Sequence, residues 1–119
     1  MKFTLSNMEK DIMELFWEQR KWMSGANIWE IFNEKGKEHR RTTINTYLTR
    51  MTEKGLLVKN GTKYIYRYSK EEFRQKQADE ILENMYDGSL AAFISAFLGK
   101  KKINKEDSEA LKKYLDMDE

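Results

Sequence analysis

The sequence contains no cysteine and no proline, and its only histidine is His39. Without cysteine, disulfide bonds, thiolate metal sites, cysteine nucleophiles and thiol redox sensing are all excluded. One imidazole is too few for a histidine-based metal site or a histidine acid–base relay. No nucleophile in the sequence has a credible base and orienting group. We therefore expect that the chain is not an enzyme and that it holds no metal and no cofactor.

Long hydrophobic runs are missing as well. No apolar stretch approaches the roughly 20 residues of a membrane-spanning helix, and residues 1–6 lack the apolar part of a signal peptide. We therefore expect a cytoplasmic protein without membrane insertion. The 119 residues fit one domain, or a small domain with an appendage. The core of such a chain is thin, and a partner subunit would complete it.

The formal net charge of +2 conceals an uneven distribution. Residues 35–70 hold ten basic and two acidic residues, a net charge of +8, so the rest of the chain carries −6. The basic residues are Lys35, Lys37, Arg40, Arg41, Arg50, Lys54, Lys59, Lys63, Arg67 and Lys70. A basic centre between acidic flanks favours a surface that faces a polyanion, although a solvated face with scattered lysines would have the same composition.

The first half of the chain has the periodicity of three helices. Ser6 and Glu9 have the spacing of a capping box that opens a first helix ending near residue 19. Ser24 caps a second helix, which ends near residue 36. The third helix runs from about residue 41 to residue 54, with Gly55 placed to end it.

Two strands and a helical tail follow. The strands are predicted at 56–59 and 63–68, with Asn60-Gly61 as a tight hairpin turn. The tail consists, in order, of an amphipathic helix from Lys70 to near Gly88, a helix capped by Ser89, a lysine-rich turn at 100–102 and a helix capped by Asn104.

The third predicted helix has a polar face that a plain solvated surface does not explain. Its apolar stripe is narrow and consists of Ile44, Leu48 and Met51. The opposite face is rich in threonine and asparagine, which are poor helix formers but suit contacts with base edges and phosphates. The predicted DNA-binding residues here are Arg40, Arg41, Thr42, Thr43, Asn45, Thr46, Thr49 and Arg50.

Three helices followed by a hairpin, with a basic and polar third helix, is the order of a winged helix-turn-helix. In that arrangement the third helix enters the major groove. Asn45 would pair with adenine, and Arg41 with guanine or a phosphate. Lys59, Lys63 and Arg67 on the hairpin, or wing, would contact phosphates regardless of sequence. Lysines on exposed strands also serve solubility, so this assignment is the weaker one.

Several segments carry a resemblance to a known family. They are Leu5-Ser6 with Glu9, Met13-Glu14-Leu15-Phe16-Trp17, Ala26-Asn27-Ile28-Trp29-Glu30-Ile31, Thr43-Ile44-Asn45-Thr46-Tyr47-Leu48-Thr49-Arg50-Met51, Lys54-Gly55-Leu56-Leu57, Tyr64-Ile65-Tyr66 and Tyr86-Asp87-Gly88-Ser89. Together they resemble the penicillinase repressor family, which includes methicillin-resistance repressors and copper-responsive repressors. The resemblance runs nearly end to end.

The resemblance implies a bacterial transcriptional repressor that binds palindromic operators as a homodimer, controlling antibiotic-resistance or related genes. It implies a winged-helix DNA-binding domain over residues 1–69 and a C-terminal helical dimerisation domain over residues 70–119. The expected fold class is mainly α with a small β-hairpin. A winged-helix scaffold that binds proteins and not DNA is the alternative, and it predicts no binding to duplex DNA at moderate ionic strength.

The tail alone would bury few of its apolar side chains, which favours an intertwined dimer. Folding of the tail back onto its own domain is the competing arrangement. The predicted interface residues are Ile81, Leu82, Met85, Leu90, Phe93, Ile94, Phe97, Leu98, Leu111, Tyr114 and Leu115.

Two departures from the family concern how the repressor is switched off. Antibiotic-responsive members are cut at an Asn-Phe bond in the dimer helices when a membrane sensor is triggered. Ala96-Phe97 occupies that position here, so the phenylalanine is kept and the asparagine is not. Copper-responsive members use a C-terminal cysteine cluster, which this chain lacks. The partners implied by the resemblance are operator DNA, a second copy of the chain and a membrane sensor protease.

Overall fold

The computed structural model describes residues 2–99 and 103–117. The lysine-rich turn predicted at 100–102 lies outside these residues. The chain divides into two compact units, Met1–Glu80 and Ile81–Glu119. The described residues form six α-helices and a three-stranded antiparallel sheet, which confirms a mainly α fold with a small hairpin.

The elements follow the predicted order, with one added strand. They are α1 (Asn7–Gln19), β1 (Met23–Ser24), α2 (Gly25–Glu34), α3 (Arg41–Glu53), β2 (Leu57–Asn60), β3 (Lys63–Tyr66), α4 (Lys70–Tyr86), α5 (Leu90–Leu98) and α6 (Lys105–Leu115). None of the helices in the described parts of the chain is long and apolar enough to cross a membrane.

Helix starts lie where the capping residues predict them. The Ser6 hydroxyl accepts a hydrogen bond from the Glu9 N–H at 3.3 Å, and the Glu9 carboxylate accepts one from the Ser6 N–H at 3.0 Å. This reciprocal pair is the predicted capping box, and it is confirmed. Ser24 caps α2, while Ser89 and Asn104 cap α5 and α6, also as predicted.

The end of α3 is a Schellman motif built around Gly55, which has a φ of +78°. The Gly55 N–H donates to the Thr52 carbonyl at 3.0 Å, and the Leu56 N–H donates to the Met51 carbonyl at 2.9 Å. Leu56 and Met51 are both fully buried, so the motif leads the chain from α3 into the sheet along the core.

The hairpin turn is one residue later than predicted. Asn60 pairs with Lys63 across the two strands, so the loop residues are Gly61 and Thr62 and not Asn60-Gly61. Gly61 has a φ of +63°, and a positive φ at the first of two loop residues is the arrangement of a type II′ turn, which favours glycine there. The Asn-Gly pair is a strong turn signal, but here the strand pairing claims the asparagine.

The hairpin strands are also shorter or shifted relative to prediction. β2 begins at Leu57 and not at residue 56, because Leu56 completes the end of α3. β3 ends at Tyr66 and not at residue 68. The extended segment predicted before α2 pairs with β3 as strand β1, with Met23 opposite Tyr64, so the strand order is β1-β3-β2.

The core of the first unit lies between α1, α2, α3, the sheet and the start of α4. Ile44, Leu48 and Met51 are completely buried, which confirms the apolar stripe of α3. Phe73 of α4 is buried as well, with its ring 5.3 Å from the ring of Phe3. The packed unit therefore continues past residue 69 into α4, while the assignment of DNA binding and dimerisation to separate domains stays a prediction.

The second unit contains the end of α4, α5 and α6. Its aromatic side chains pack locally, with the Phe93 ring 5.4 Å from that of Tyr86 and 6.2 Å from that of Phe97. Neither α5 nor α6 has a fully buried residue. This unit therefore has no closed core within the described residues of a single chain.

Candidate nucleic-acid interface

The outward face of α3 consists of the residues predicted to contact DNA. Its buried stripe turns the remaining side chains to solvent, because residues three and four apart share a helix face. The exposed residues are Arg40, Arg41, Thr42, Thr43, Asn45, Thr46, Thr49 and Arg50. Four of them, Asn45, Thr46, Thr49 and Arg50, line an open surface depression together with Glu53.

The N-terminus of α3 has no side-chain cap. Arg40 occupies the N-cap position without a side-chain hydrogen bond, and the first turn contains no acidic residue. The Thr43 and Ile44 N–H groups bond only the Arg40 carbonyl, at 3.1 and 3.2 Å. A helix N-terminus without an acceptor of its own has a partial positive charge and N–H groups that suit an anion. This end of α3 therefore adds to the charge of Arg40 and Arg41.

Asn45 packs against the first residue of α2. A Cβ atom added to Gly25 would overlap Asn45 Oδ1 and would lie 3.4 Å from Asn45 Cγ and 3.6 Å from Leu48 Cδ1. The Asn45 side chain thus occupies space that is open only because residue 25 is glycine. Gly25 was not among the predicted site residues. A glycine directly after the Ser24 cap, where a helix-turn-helix brings its two helices together, is the signal that points to it.

The hydroxyl of Thr46 is already engaged within α3. It donates to the Thr42 carbonyl at 2.9 Å, and Thr52 makes the same kind of bond to Leu48 at 2.7 Å. A threonine bonded in this way keeps its acceptor lone pairs and its methyl group. Thr46 is therefore suited to a thymine methyl or to a donating base edge and not to a phosphate oxygen.

Four of the ten basic residues of segment 35–70 form ion pairs with carboxylates of α1. The pairs are Lys35–Glu18 at 3.1 Å, Lys37–Asp11 at 3.2 Å, Lys54–Glu9 at 2.9 Å and Lys70–Glu14 at 3.2 Å. The other six form no ion pair with any residue that the structure describes. These six are Arg40, Arg41, Arg50, Lys59, Lys63 and Arg67, the cations predicted to contact DNA.

This division gives the charge pattern of the sequence a structural meaning. The acidic α1 neutralises the cations near it, while those of α3 and the wing keep their charge. Exposed ion pairs stabilise a fold little, about 0–1 kcal/mol each. Their larger effect is on the electrostatic field, which they confine to one part of the surface.

Glu9 is the one buried member of these pairs, at 8% exposure. Burial by itself would raise the pKa of its carboxyl group. The hydrogen bonds from the Ser6 N–H, the Lys54 ammonium and the Ser6 hydroxyl, together with the Lys54 charge, outweigh burial and lower that pKa below its ordinary value of 4.5. Glu9 is therefore a structural carboxylate that joins the start of α1 to the end of α3.

The wing lysines lie on opposite faces of the hairpin. Directly paired residues share a face, so Lys59 lies with Tyr64, and its ammonium is 5.4 Å from the Tyr64 ring centre. Lys63 lies on the other face, with Asn60, Val58 and Ile65. Both lysines are exposed, and their cationic groups flank the Gly61-Thr62 turn from its two sides.

The apolar residues predicted for the dimer interface are largely open to solvent in the single chain. Among them are Met85 at 65%, Phe97 at 68% and Tyr114 at 72% exposure. Ile81, Leu90 and Leu115 are exposed too, whereas Leu82, Phe93, Ile94, Leu98 and Leu111 are half-buried within their own unit. Ala96 and Phe97, the residues of the predicted cleavage bond, both lie exposed in α5.

No group of three or more histidine or acidic side chains in residues 2–99 and 103–117 is arranged to hold a metal ion. The site is instead a charged and polar surface on a helix and a hairpin. A helix-turn-helix whose third helix is followed by a two-stranded wing defines a winged helix-turn-helix protein.

The chain belongs to the penicillinase repressor family, which it matches over residues 5–117. It is 26% identical over 115 residues to the penicillinase repressor of Staphylococcus aureus, covering 93% of this chain and 90% of that protein. It is 23% identical over 117 residues to the methicillin resistance regulatory protein MecI of Staphylococcus aureus strain N315, covering 95% and 94%. The MecI protein of Staphylococcus epidermidis gives the same figures. Members of this family are regulatory proteins, so the chain is a repressor-type regulator and not an enzyme.

Proposed function

We propose that this regulator is a homodimer that binds palindromic operator DNA through α3 and the wing, and that it represses antibiotic-resistance or related genes. The relatives named as repressors of penicillinase and of methicillin resistance support the choice of target genes. The observation that carries the proposal is the set of six cations without ion pairs on α3 and the wing. A polyanion is the ligand that a surface with this much uncompensated charge favours.

Sequence reading belongs to α3 in this proposal. Asn45 has one amide oxygen and one amide nitrogen, the pair of groups that recognises adenine in the major groove. Arg41 lies one turn before it and has the fork geometry for guanine or a phosphate. Thr46 contributes its methyl group and lone pairs, since its hydroxyl proton is already bonded. Together these side chains give α3 the means to distinguish base pairs.

The wing and the start of α3 position the protein on the backbone. Lys63 and Lys59 flank the Gly61-Thr62 turn, and each is long enough to reach a phosphate independently of the base sequence. Arg40 adds its charge at the uncapped N-terminus of α3. Contacts of this kind supply most of the affinity and make it depend on salt.

Dimerisation is proposed from the exposed apolar side chains of the second unit. Phe97, Tyr114, Leu115 and Met85 are each more than half exposed in the single chain. Monomeric proteins rarely leave this much connected apolar surface open. A second copy would cover it with an equivalent surface, and a two-fold dimer would place two α3 helices on two half-sites of a palindrome.

The experiment is selection of duplexes from a randomised DNA pool by the full chain, followed by binding measurements on the selected sequence. We expect two inverted half-sites whose centres lie about one helical turn, or a multiple of it, apart. A selected sequence without two-fold symmetry would contradict dimeric binding. If no duplex is retained at moderate ionic strength, the protein-binding scaffold is the better account.

We also propose that a membrane sensor protease switches the repressor off at the Ala96–Phe97 bond. The exposed position of both residues in α5 supports this, although α5 has to unwind before a protease can reach its backbone. Mass spectrometry of the chain from β-lactam-treated cells of its own host tests the proposal. A fragment ending at Ala96 is expected. An intact chain from cells in which the target genes are induced would contradict cleavage.

A further inference from the structure

Three cations of the first unit surround one aromatic ring, that of Tyr68. The Lys76 ammonium lies 5.3 Å from the ring centre, the Lys2 ammonium 5.7 Å and the Arg67 guanidinium carbon 5.8 Å. They come from separate parts of the chain: the residues before α1, the segment after β3, and α4. None of the three forms an ion pair with a residue that the structure describes.

The ring at the centre of this cluster is held firmly. The Trp17 indole N–H donates to the Tyr68 carbonyl at 3.0 Å, and the Phe3 ring packs edge-on against the Tyr68 ring at 5.5 Å. The Lys2 side chain lies over Gly55, where a Cβ atom would be 3.1 Å from its ammonium group. The charges are therefore placed by an ordered aromatic support.

The two carboxylates near the cluster have other partners. Glu72, which interacts with the Lys76 charge, accepts hydrogen bonds from the Ser69 N–H, and this bond lowers the pKa of its carboxyl group. Both oxygens of Glu80 accept the Phe3 N–H, at 3.1 and 3.3 Å. Like charges this close repel one another unless an anion joins them, because they lie about a Debye length apart or less.

The cluster is separate from the tip of the wing. Arg67 is four residues from Lys63, a distance of about 13 Å along an extended chain. Lys2 and Lys76 lie outside the basic segment 35–70 and were not among the predicted DNA contacts. The ring contacts alone explain neither why three cations converge here nor why each lacks an acidic partner, since a cation over a ring gains only about 0.5–1 kcal/mol at an exposed site.

We infer that Lys2, Arg67 and Lys76 form a phosphate-binding site around Tyr68. Two sources supply this chemistry: the backbone of duplex DNA beyond the contacts of α3 and the wing, and a free phosphorylated compound. The first source rests on the proposed DNA-binding function, and the second does not. Three donors around one position match the several acceptor oxygens of a phosphate.

The test compares the wild type with Lys2→Gln/Lys76→Gln, which leaves Arg67 in place. Lys10→Gln/Lys105→Gln is the control, since it removes the same charge from exposed positions away from the cluster. In the first arm, inorganic pyrophosphate is added to the full chain without DNA, and the amide NMR signals of Phe3, Gly55 and Tyr68 are followed. Saturable shifts are expected, with affinity about tenfold lower in the cluster variant and unchanged in the control.

In the second arm, binding to duplex DNA is measured as a function of salt. If the duplex supplies the phosphate, the slope of log K against log salt becomes shallower by about 1.8 in the cluster variant, or about 0.9 per lost contact, and stays unchanged in the control. Pyrophosphate binding without this change assigns the site to a free phosphate compound. The inference is overturned if the cluster variant matches the control in both arms. Failure of DNA binding in the wild type would leave the first arm informative, so the two proposals fail separately.

Discussion

Asn45 and Gly25 show how one missing side chain controls another residue. Asn45 Oδ1 occupies the position that a Cβ atom on residue 25 would need. The contact is with the end of a flexible side chain, so an added methyl group displaces the amide and leaves the helix packing intact. Gly25 is thus a positioning residue, and the base contact that we propose depends on it.

We predict that Gly25→Ala separates binding specificity from stability. Alanine in the first turn of α2 should leave the free energy of unfolding unchanged or raise it by about 0.5–1 kcal/mol. Discrimination between the selected operator and a base-substituted duplex should fall by about 1–3 kcal/mol, as expected for Asn45→Ala. Urea unfolding and fluorescence anisotropy measure the two quantities. Equal discrimination in Gly25→Ala and wild type would show that Asn45 does not read a base from this position.

Glu9 links pH to stability through its lowered pKa. The folded pKa lies below the ordinary value of 4.5, so the carboxylate stabilises the native state fully above that value. This stabilisation is lost as the pH falls through the folded pKa. We predict that Glu9→Gln costs about 1–2 kcal/mol at pH 7 and flattens the decline of the unfolding free energy below pH 4.5.

Urea unfolding at a series of pH values checks the Glu9 prediction. Glu18→Gln is the matched control, because Glu18 forms an exposed pair with Lys35 and should cost well under about 1 kcal/mol. Equal pH profiles for Glu9→Gln and the wild type would contradict the structural role of this carboxylate.

At the scale of elements, α1 and the wing divide the cations between them. Lys35 and Lys37 are held by carboxylates of α1, whereas Lys63 is not paired within the described residues. We predict that Lys63→Ala weakens binding to all duplexes alike and makes the salt slope shallower by about 0.9. Lys35→Ala should leave that slope unchanged. Similar effects of the two substitutions, measured by anisotropy over a range of salt, would contradict the division.

The elements themselves were largely predictable from local signals. Capping residues fix the starts of α1, α2, α5 and α6, and the apolar stripe of α3 fixes its buried face. Such signals involve residues close in sequence, so the sequence alone contains them. The resemblance of the segment around Asn45 to a known family added the expected order of helix, turn, helix and wing.

What the sequence could not supply depends on long-range pairing. Strand β1 is two residues long and exists only because Met23 lies opposite Tyr64. The turn moved by one residue because the register of β2 with β3 places Asn60 within the strands. The ion pairs of α1 and the contact of Gly25 with Asn45 join residues distant in sequence. The charge total of segment 35–70 was visible, but the choice of its unpaired members required the fold.

At the scale of the whole molecule, the second unit is the part that needs a partner. Its helices have no buried residue, and Phe97 remains 68% exposed. We predict that Phe97→Asp weakens self-association by at least about tenfold, because a charge in a closed apolar interface is costly. Sedimentation equilibrium measures this, with Gln75→Asp as a control at an exposed position of the first unit. An unchanged dimer in Phe97→Asp would remove this residue from the interface.

The central claim is that the six unpaired cations of α3 and the wing face DNA. The measurement that tests it most directly is the salt dependence of operator binding by the full chain. If half to all of these cations in each protomer of a dimer contact phosphates, log K falls against log salt with a slope between about −5 and −11. A slope near zero, or no binding to duplex DNA at low salt, would contradict the account.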